Sequence, residues 1–340
     1  MLGVETLPAI VYLFALMFVP ESPRWLAMHG REEEALSVFE KASDAQQAQA
    51  DLALVKSSLH AEAEQPGLSI RQLFQPAMKL VMTIGISVAI LQQITGINSV
   101  FFYAPMIFEQ SGIGTNAAFL QAVLVGLVNL LFTVAAILLI DKLGRRPLLG
   151  FGLVGIAVCM FTLSYGFGSA SYTLTADSIE SLPADVQPEL IEPVLGVTYD
   201  SDVAFRGALS AAVGIDTFKR NESQLIAAAI DMSPTLVLLG ILGFVASFAI
   251  SLGPVMWVLF SELFPNQLRG LAISFAGLVN SAVSFSVQLV FPWELENFGN
   301  ALTFLIYGIF AVIGLVFVMR VLPETKGRSL EELETLLVRR

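Results

Sequence analysis

Apolar residues in this 340-residue chain come in long blocks almost free of Lys, Arg, Asp and Glu, and most charges collect between them. About 20 mostly apolar residues suffice to cross a bilayer as a helix. Seven blocks meet or approach that length, over about 3–20, 77–110, 117–140, 147–168, 235–264, 270–292 and 300–322. Each is predicted to be α-helical, because only a helix pairs its own backbone groups inside hydrocarbon. The pattern therefore predicts an all-α membrane protein. Polar stretches divide it into 1–20, 21–76, 77–168, 169–233, 234–322 and a tail, 323–340.

Two of the polar stretches have helical signatures. In 21–76, Glu32-Glu33-Glu34 precede Ala35, Leu36, Val38 and Phe39, the start of an amphipathic helix near Arg31 with acids on the positive end of its dipole. A second helix is expected around 46–63, and both should lie beneath the spans as a linker. The 169–233 stretch carries ten acidic residues against Arg206, Lys219 and Arg220. Its 203–230 part has helical composition, which predicts a small ordered cap. Asn221-Glu222-Ser223 matches a glycosylation acceptor.

Composition agrees with a membrane protein: 55% of residues are hydrophobic and 14% charged, against about 25% charged in soluble domains. Basic residues set the orientation. Three of the eighteen Lys and Arg fall in 169–233, and the rest lie in or beside 21–76, the 141–146 loop, Arg269 and the C-terminal end. Those segments are expected in the cytoplasm, with the C-terminus among them. The net charge of −11 excludes nucleic acid as a partner. The first block lacks the charged lead and small-residue cleavage site of a secretory signal. Cys159 alone forms no intrachain disulfide, and His29 and His60, far apart, make no metal site.

Pro20-Glu21-Ser22 closes the first block and Pro323-Glu324-Thr325 the last, with six blocks between them. Transporters are often built from repeated halves. If each signature ends a half, the second half is complete here and the first is represented by its last helix.

Five motifs then carry a resemblance: Pro20-Glu21-Ser22-Pro23-Arg24-Trp25-Leu26; Gln92-Gln93-Ile94-Thr95-Gly96-Ile97-Asn98 continued by Tyr103-Ala104-Pro105; Asp141-Lys142-Leu143-Gly144-Arg145-Arg146-Pro147; Gly253-Pro254-Val255-Met256-Trp257 with Ser261-Glu262-Leu263-Phe264-Pro265; and Pro323-Glu324-Thr325-Lys326-Gly327. In this order and spacing they resemble the sugar porters of the major facilitator superfamily, a family of glucose facilitators and proton-coupled pentose, hexose and inositol symporters. The resemblance implies the major facilitator fold: a complete C-terminal six-helix half preceded by the last helix of the N-terminal half, in the plasma membrane, or the inner membrane of a bacterium. It implies transport of a neutral monosaccharide or polyol by alternating access, by proton symport or facilitated diffusion, with the rest of an N-terminal half as a missing partner. The alternative is a non-transporting fragment or sensor-like relative.

Amides suit such a cargo, since they both donate and accept hydrogen bonds as hydroxyls do. Gln92, Gln93 and Asn98 lie in an apolar block, where unpaired polar groups are costly. Gln93 and Asn98 would not share a face of a straight helix, and a break at Gly96 would let them converge. The resemblance adds Asn129, Asn280 and Trp257 to the sugar site, with Gly253 and Pro254 as a second break. It also implies an inner gate of charges: Glu21, Arg24, Asp141, Arg145, Arg146, Glu262 and Glu324. Three departures alter the sugar surface: Phe102 in place of a tyrosine, Ser281 of a tryptophan and Ser284 of an asparagine. No paired carboxylates, metal ligands or nucleophile with a base occupy the blocks, so neither an enzyme nor a cofactor is expected.

Overall fold

The computed structural model describes residues 6–41, 43–63, 69–111, 115–176, 178, 182, 186–265 and 267–327. The chain divides into two compact units, Met1–Leu68 and Ser69–Arg340.

Among its described residues the first unit holds four helices: α1 (Thr6–Phe18), α2 (Pro23–Met28), α3 (Glu32–Glu40) and α4 (Ala45–Ala63). Of the expected first span the described residues form only the 13-residue α1, shorter than the six stretches long enough to cross a membrane; residues 3–5 of that block lie outside the described residues. The helices expected from Arg31 and around 46–63 are α3 and α4. Arg31 and Glu34 bond at 2.6 Å, and the Lys56 ammonium meets Glu32 at 2.5 Å. A further helix, α2, was not expected; its start at Pro23 uses the fixed proline φ at a first helical position. His29 stacks on Trp25 with ring centroids 4.0 Å apart, and its Nδ1 lies 2.9 Å from the Trp25 carbonyl.

The second unit holds six stretches long and apolar enough to cross a membrane, among the described residues. Two are broken. The first is α5 (Lys79–Ile94) followed by α6 (Ile97–Gln110); α7 (Thr115–Leu143) and α8 (Arg145–Gly168) come next. After a polar segment containing β1 (Ser171–Thr173), α9 (Pro188–Ile191), β2 (Thr198–Tyr199), α10 (Asp202–Val213), α11 (Ile215–Ala229) and β3 (Ile230–Asp231), the chain returns through α12 (Pro234–Ala249) and α13 (Leu252–Leu263), the second broken stretch. Then α14 (Arg269–Asn297) and α15 (Gly299–Val321) complete the bundle. One continuous core joins all eight helices of the spans, α5–α8 and α12–α15, with Ile84, Leu149, Phe244, Phe260, Phe291 and Phe304 fully buried. Even so, α7 and α14 leave large apolar side chains exposed, among them Leu130, Ile137, Leu278 and Phe285. Such faces are stable against lipid or a second bundle, not against water.

The second break is not at Gly253 and Pro254. It falls at Ile250 and Ser251, and Gly253-Pro254 sit in the first turn of α13. The reason is the geometry of proline: its ring and missing N–H disrupt the turn before it, around the carbonyl four residues back, here Ile250.

The 169–233 stretch departs from the all-α expectation. Its ordered cap contains a three-stranded antiparallel sheet in the order β2-β1-β3, with Tyr172 opposite both Tyr199 and Ile230. Tyr172, Phe205, Leu209, Leu225 and Ile226 form a separate small core. Tyr172 stacks on Phe205 at 5.5 Å. Burial pushes its hydroxyl well above the usual tyrosine range, and the nearby Asp202 charge adds to the shift. The Asn221 acceptor expectation fails. Asn221 is buried on α11 and its amide donates to the Thr217 carbonyl at 3.1 Å, while Glu222 pairs with the buried Arg206.

Candidate functional site

The site begins at the α5–α6 break. Thr95 Oγ1 donates back to the Gln92 carbonyl at 3.1 Å, and Gly96 turns the chain at φ 85. A Cβ at 96 would lie 2.5 Å from the Tyr307 ring, so both the turn and the packing need glycine. On a straight helix, residues five apart point about 140° away from each other. Restarting the helix at Ile97 cancels that angle, and Asn98 Nδ2 donates to Gln93 Oε1 at 2.8 Å.

From this pair a chain of side-chain hydrogen bonds runs into α13 and α14. Gln93 Nε2 donates to Gln92 Oε1 at 3.2 Å and to Asn280 Oδ1 at 3.1 Å. Asn280 Nδ2 donates to the Ala89 carbonyl at 3.0 Å and to Gln92 Oε1 at 2.8 Å. Gln92 Nε2 donates to the Leu252 and Gly253 carbonyls at 3.2 and 3.4 Å, beside the second break. Asn98 Nδ2 also donates to Ser284 Oγ at 2.7 Å. Gln288 Nε2 reaches the same oxygen at 2.9 Å and the Ser284 carbonyl at 3.2 Å.

Backbone carbonyls fix the direction of the chain. They only accept, so Gln92 Nε2 and Asn280 Nδ2 must point at them, and every other amide follows in turn. Gln92 spends two protons and both lone pairs of its oxygen on protein. It therefore holds α5, α13 and α14 together and has nothing left for a ligand. Gln92, Gln93 and Asn280 are buried, whereas Asn98, Ser284 and Gln288 are half-buried.

The other expected members do not join this chain. Asn129 lies half-buried on α7 and makes no hydrogen bond to it. Trp257 is 49% exposed and meets Phe260 edge-on, with centroids 5.9 Å apart. Gln288 is a member that the sequence reading passed over. Its signal was spacing: Asn280, Ser284 and Gln288 are four residues apart, one polar line along an apolar helix. Glu294 was passed over as well, because α14 runs five residues beyond the expected end of its block; its Oε2 accepts from Tyr307 Oη at 2.9 Å.

A second cluster forms where α7 meets α8. Gly144 turns at φ 94, and the Glu324 carboxylate accepts the Arg145 and Arg146 backbone amides at 3.0 and 3.1 Å. The Arg145 guanidinium, 10% exposed, bonds Glu262 at 2.6 Å, Asp141 at 2.9 Å and the Ile140 carbonyl at 3.2 Å. Thr325 Oγ1 donates to Glu262 at 2.7 Å, and the Arg146 guanidinium donates to the Met319 carbonyl. Five of the seven expected gate residues thus come together. Glu21 and Arg24 belong to the first unit, where both are exposed.

Residues 1–180 and 207–337 match the sugar (and other) transporter family. The chain belongs to it. Among the relatives of this family, the arabinose-proton symporter of Bacillus subtilis (strain 168) is 31% identical over all of this chain and 60% of its own length. The D-xylose-proton symporter of Escherichia coli (strain K12) is 34% identical over 99% of this chain and 56% of its own. The fold agrees: the proton:xylose symporter XylE bound to 6-bromo-6-deoxy-D-glucose superposes with a TM-score of 0.66 at 33% identity, covering 98% of this chain and 58% of that one. The chain thus spans about three-fifths of the length of these relatives. As a sugar porter with six apolar spans it is an integral, multi-pass membrane protein.

Proposed function

We propose that the six spans form one wall of a path for a neutral monosaccharide or polyol, which moves by alternating access against a second bundle. The observation that carries this reading is the amide chain Gln93–Asn98–Ser284–Gln288 inside an apolar bundle, uncharged and half-open, with Gln92 and Asn280 holding it in place. Charged cargo would call for a counter-charge there. Neutral hydroxyls call for amides. The names of the arabinose-proton and D-xylose-proton symporters favour coupling to a proton over facilitated diffusion. The charge asymmetry supports placing Arg145, Arg269 and Glu324 on the cytoplasmic face and the 169–233 cap outside. The Glu324–Arg145–Glu262 cluster then acts as an inner gate, its pairs made in one state and broken in the other.

The test is equilibrium binding of D-xylose, L-arabinose, D-glucose and myo-inositol to the chain in lipid nanodiscs, followed by uptake into proteoliposomes with and without an inward proton gradient. Saturable binding of at least one, lost in Asn98→Ala and Gln93→Ala with helix content intact, is expected. Binding of none, or binding indifferent to both substitutions, overturns the sugar reading. Uptake indifferent to the gradient overturns the coupling.

A further inference from the structure

We propose that Gln288 is a specificity residue of this site, reading a sugar hydroxyl as a hydrogen-bond donor one helical turn beyond Ser284 on α14. The inference rests on the sugar reading above and concerns which face of the amide chain is left for the ligand.

Counting protons and lone pairs makes the case. Asn98 Nδ2 is fully used by Gln93 Oε1 and Ser284 Oγ, and Gln288 Nε2 by Ser284 Oγ and the Ser284 carbonyl. Neither Asn98 Oδ1 nor Gln288 Oε1 has a hydrogen-bond partner among the described residues. Ser284 Oγ accepts from both amides, so its own proton is left to give. The carbonyl of Gln288 also lacks its usual donor, because Pro292, four residues on, has no N–H. The half-buried end of the chain therefore offers acceptors at two side chains that converge on one hydroxyl, and one donor between them. A hydroxyl that donates to Gln288 Oε1 and accepts from Ser284 satisfies this pattern. A carbonyl or ether oxygen in its place does not, since it has no proton to give.

Fluorine separates the two roles, because a C–F group lacks the proton of the hydroxyl it replaces. The experiment measures binding of D-xylose and D-glucose, with the complete set of their monodeoxy and monofluorodeoxy analogues, to the chain in nanodiscs. The tighter-binding parent serves as reference. For the wild-type chain, one ring position is expected at which the fluorodeoxy analogue binds about tenfold more weakly than the parent, the scale of one lost neutral hydrogen bond, and the deoxy analogue, which loses the bond from Ser284 as well, binds at least as weakly. In Gln288→Leu the parent is expected to weaken by that factor and the discrimination against the fluorodeoxy analogue at that position to vanish. In Gln288→Glu, which keeps a side-chain acceptor, discrimination is expected to persist. A purely structural Gln288 would weaken every analogue in parallel and leave the discrimination standing; that result, or unchanged binding in Gln288→Leu, overturns the proposal alone. Failure of the wild-type chain to bind either parent overturns the sugar reading with it.

Discussion

Two helices of the second unit start in the same way and are embedded in different surroundings. At α8, Gly144 turns the chain and the Glu324 carboxylate receives two backbone amides. At α15, Gly299 turns it at φ 74 and the Asp202 carboxylate receives the Asn300 backbone amide at 2.9 Å and its side-chain amide at 3.2 Å. Each places an anion from a remote polar segment on the positive end of a helix dipole. The difference lies in what surrounds the anion. Beside Glu324, a nearly buried arginine engages two further carboxylates, and one of these, Glu262, also holds Thr325. Beside Asp202 the direct partners are neutral. The nearby Arg206 pairs with Glu222 instead, and burial pulls its pKa below the ordinary arginine value while Asp202 opposes that shift. The first arrangement is a network in which losing one member strands another. The second is a cap whose loss costs little more than the cap.

The largest expected effect therefore comes from Glu262→Ala. It leaves the Arg145 guanidinium, at 10% exposure, with only the exposed Asp141 as a charged partner. Stranding a buried partner costs about 3–5 kcal/mol, read as a large fall in the midpoint of thermal unfolding in detergent. Asp202→Ala should cost about 1–2 kcal/mol, the usual worth of a helix cap. If the two variants destabilise equally, the distinction between network and cap is wrong.

The glycines sharpen the comparison. A Cβ at 144 would lie 2.8 Å from Glu324 Oε2, and one at 299 would collide with the Asp202 carboxylate. Both positions also hold a left-handed φ that costs a side chain about 1–2 kcal/mol. Gly299→Ala alone suffers strain and collision; in the background of Asp202→Ala only the strain remains. The double variant is thus expected to be less destabilised than the two single effects combined, a coupling that a double-mutant cycle measures. Strict additivity would show that Asp202 does not seat on α15 as described.

The two ends also differ in how far they could be read from the chain. Gly144, Arg145 and Arg146 are contiguous, and Glu324 lies in a signature that repeats at Glu21, so the first cluster was visible as motifs. Asp202 and Asn300 are 98 positions apart in unlike surroundings, and neither the helical period nor a motif links them. Even the family match passes over 181–206, which contains Asp202 and Arg206. The six spans of the second unit were legible to within a few residues, because bilayer thickness dictates their length. Convergence of Gln93 and Asn98 was legible too, because Gly96 announced the turn. What escaped were features set by packing: the sheet in the cap, the displacement of the second break to Ile250 and Ser251, and the saturation of Gln92, which depends on where the Leu252 and Gly253 carbonyls end up.

The cap end also depends on pH, through Tyr172. Its folded pKa is raised by burial and by the Asp202 charge. A raised folded value means that the folded cap holds the proton more tightly than the unfolded chain, whose tyrosine titrates near pH 10. The stability tied to that proton is present below about pH 10 and is lost as the pH rises above it. Tyrosinate absorbance should show a component that appears only at pH values above those of the exposed tyrosines and accompanies opening of the cap. Tyr172→Phe should remove both.

The smallest effect tests whether the cap is held to the spans by charge. The Lys219 ammonium meets Glu296 at the end of α14 at 3.2 Å, but the two side chains are 61% and 53% exposed. Water screens such a pair, and holding two long side chains in one geometry costs entropy, so it is worth between nothing and about 1 kcal/mol. Lys219→Ala is therefore expected to leave the thermal midpoint nearly unchanged, and more so at high salt, while Asp202→Ala in the same cap lowers it. A Lys219→Ala loss as large as that of Asp202→Ala would mean that the two ends of the bundle are both held by ion pairs. The contrast between a charge network at α8 and a hydrogen-bonded cap at α15 would then fail.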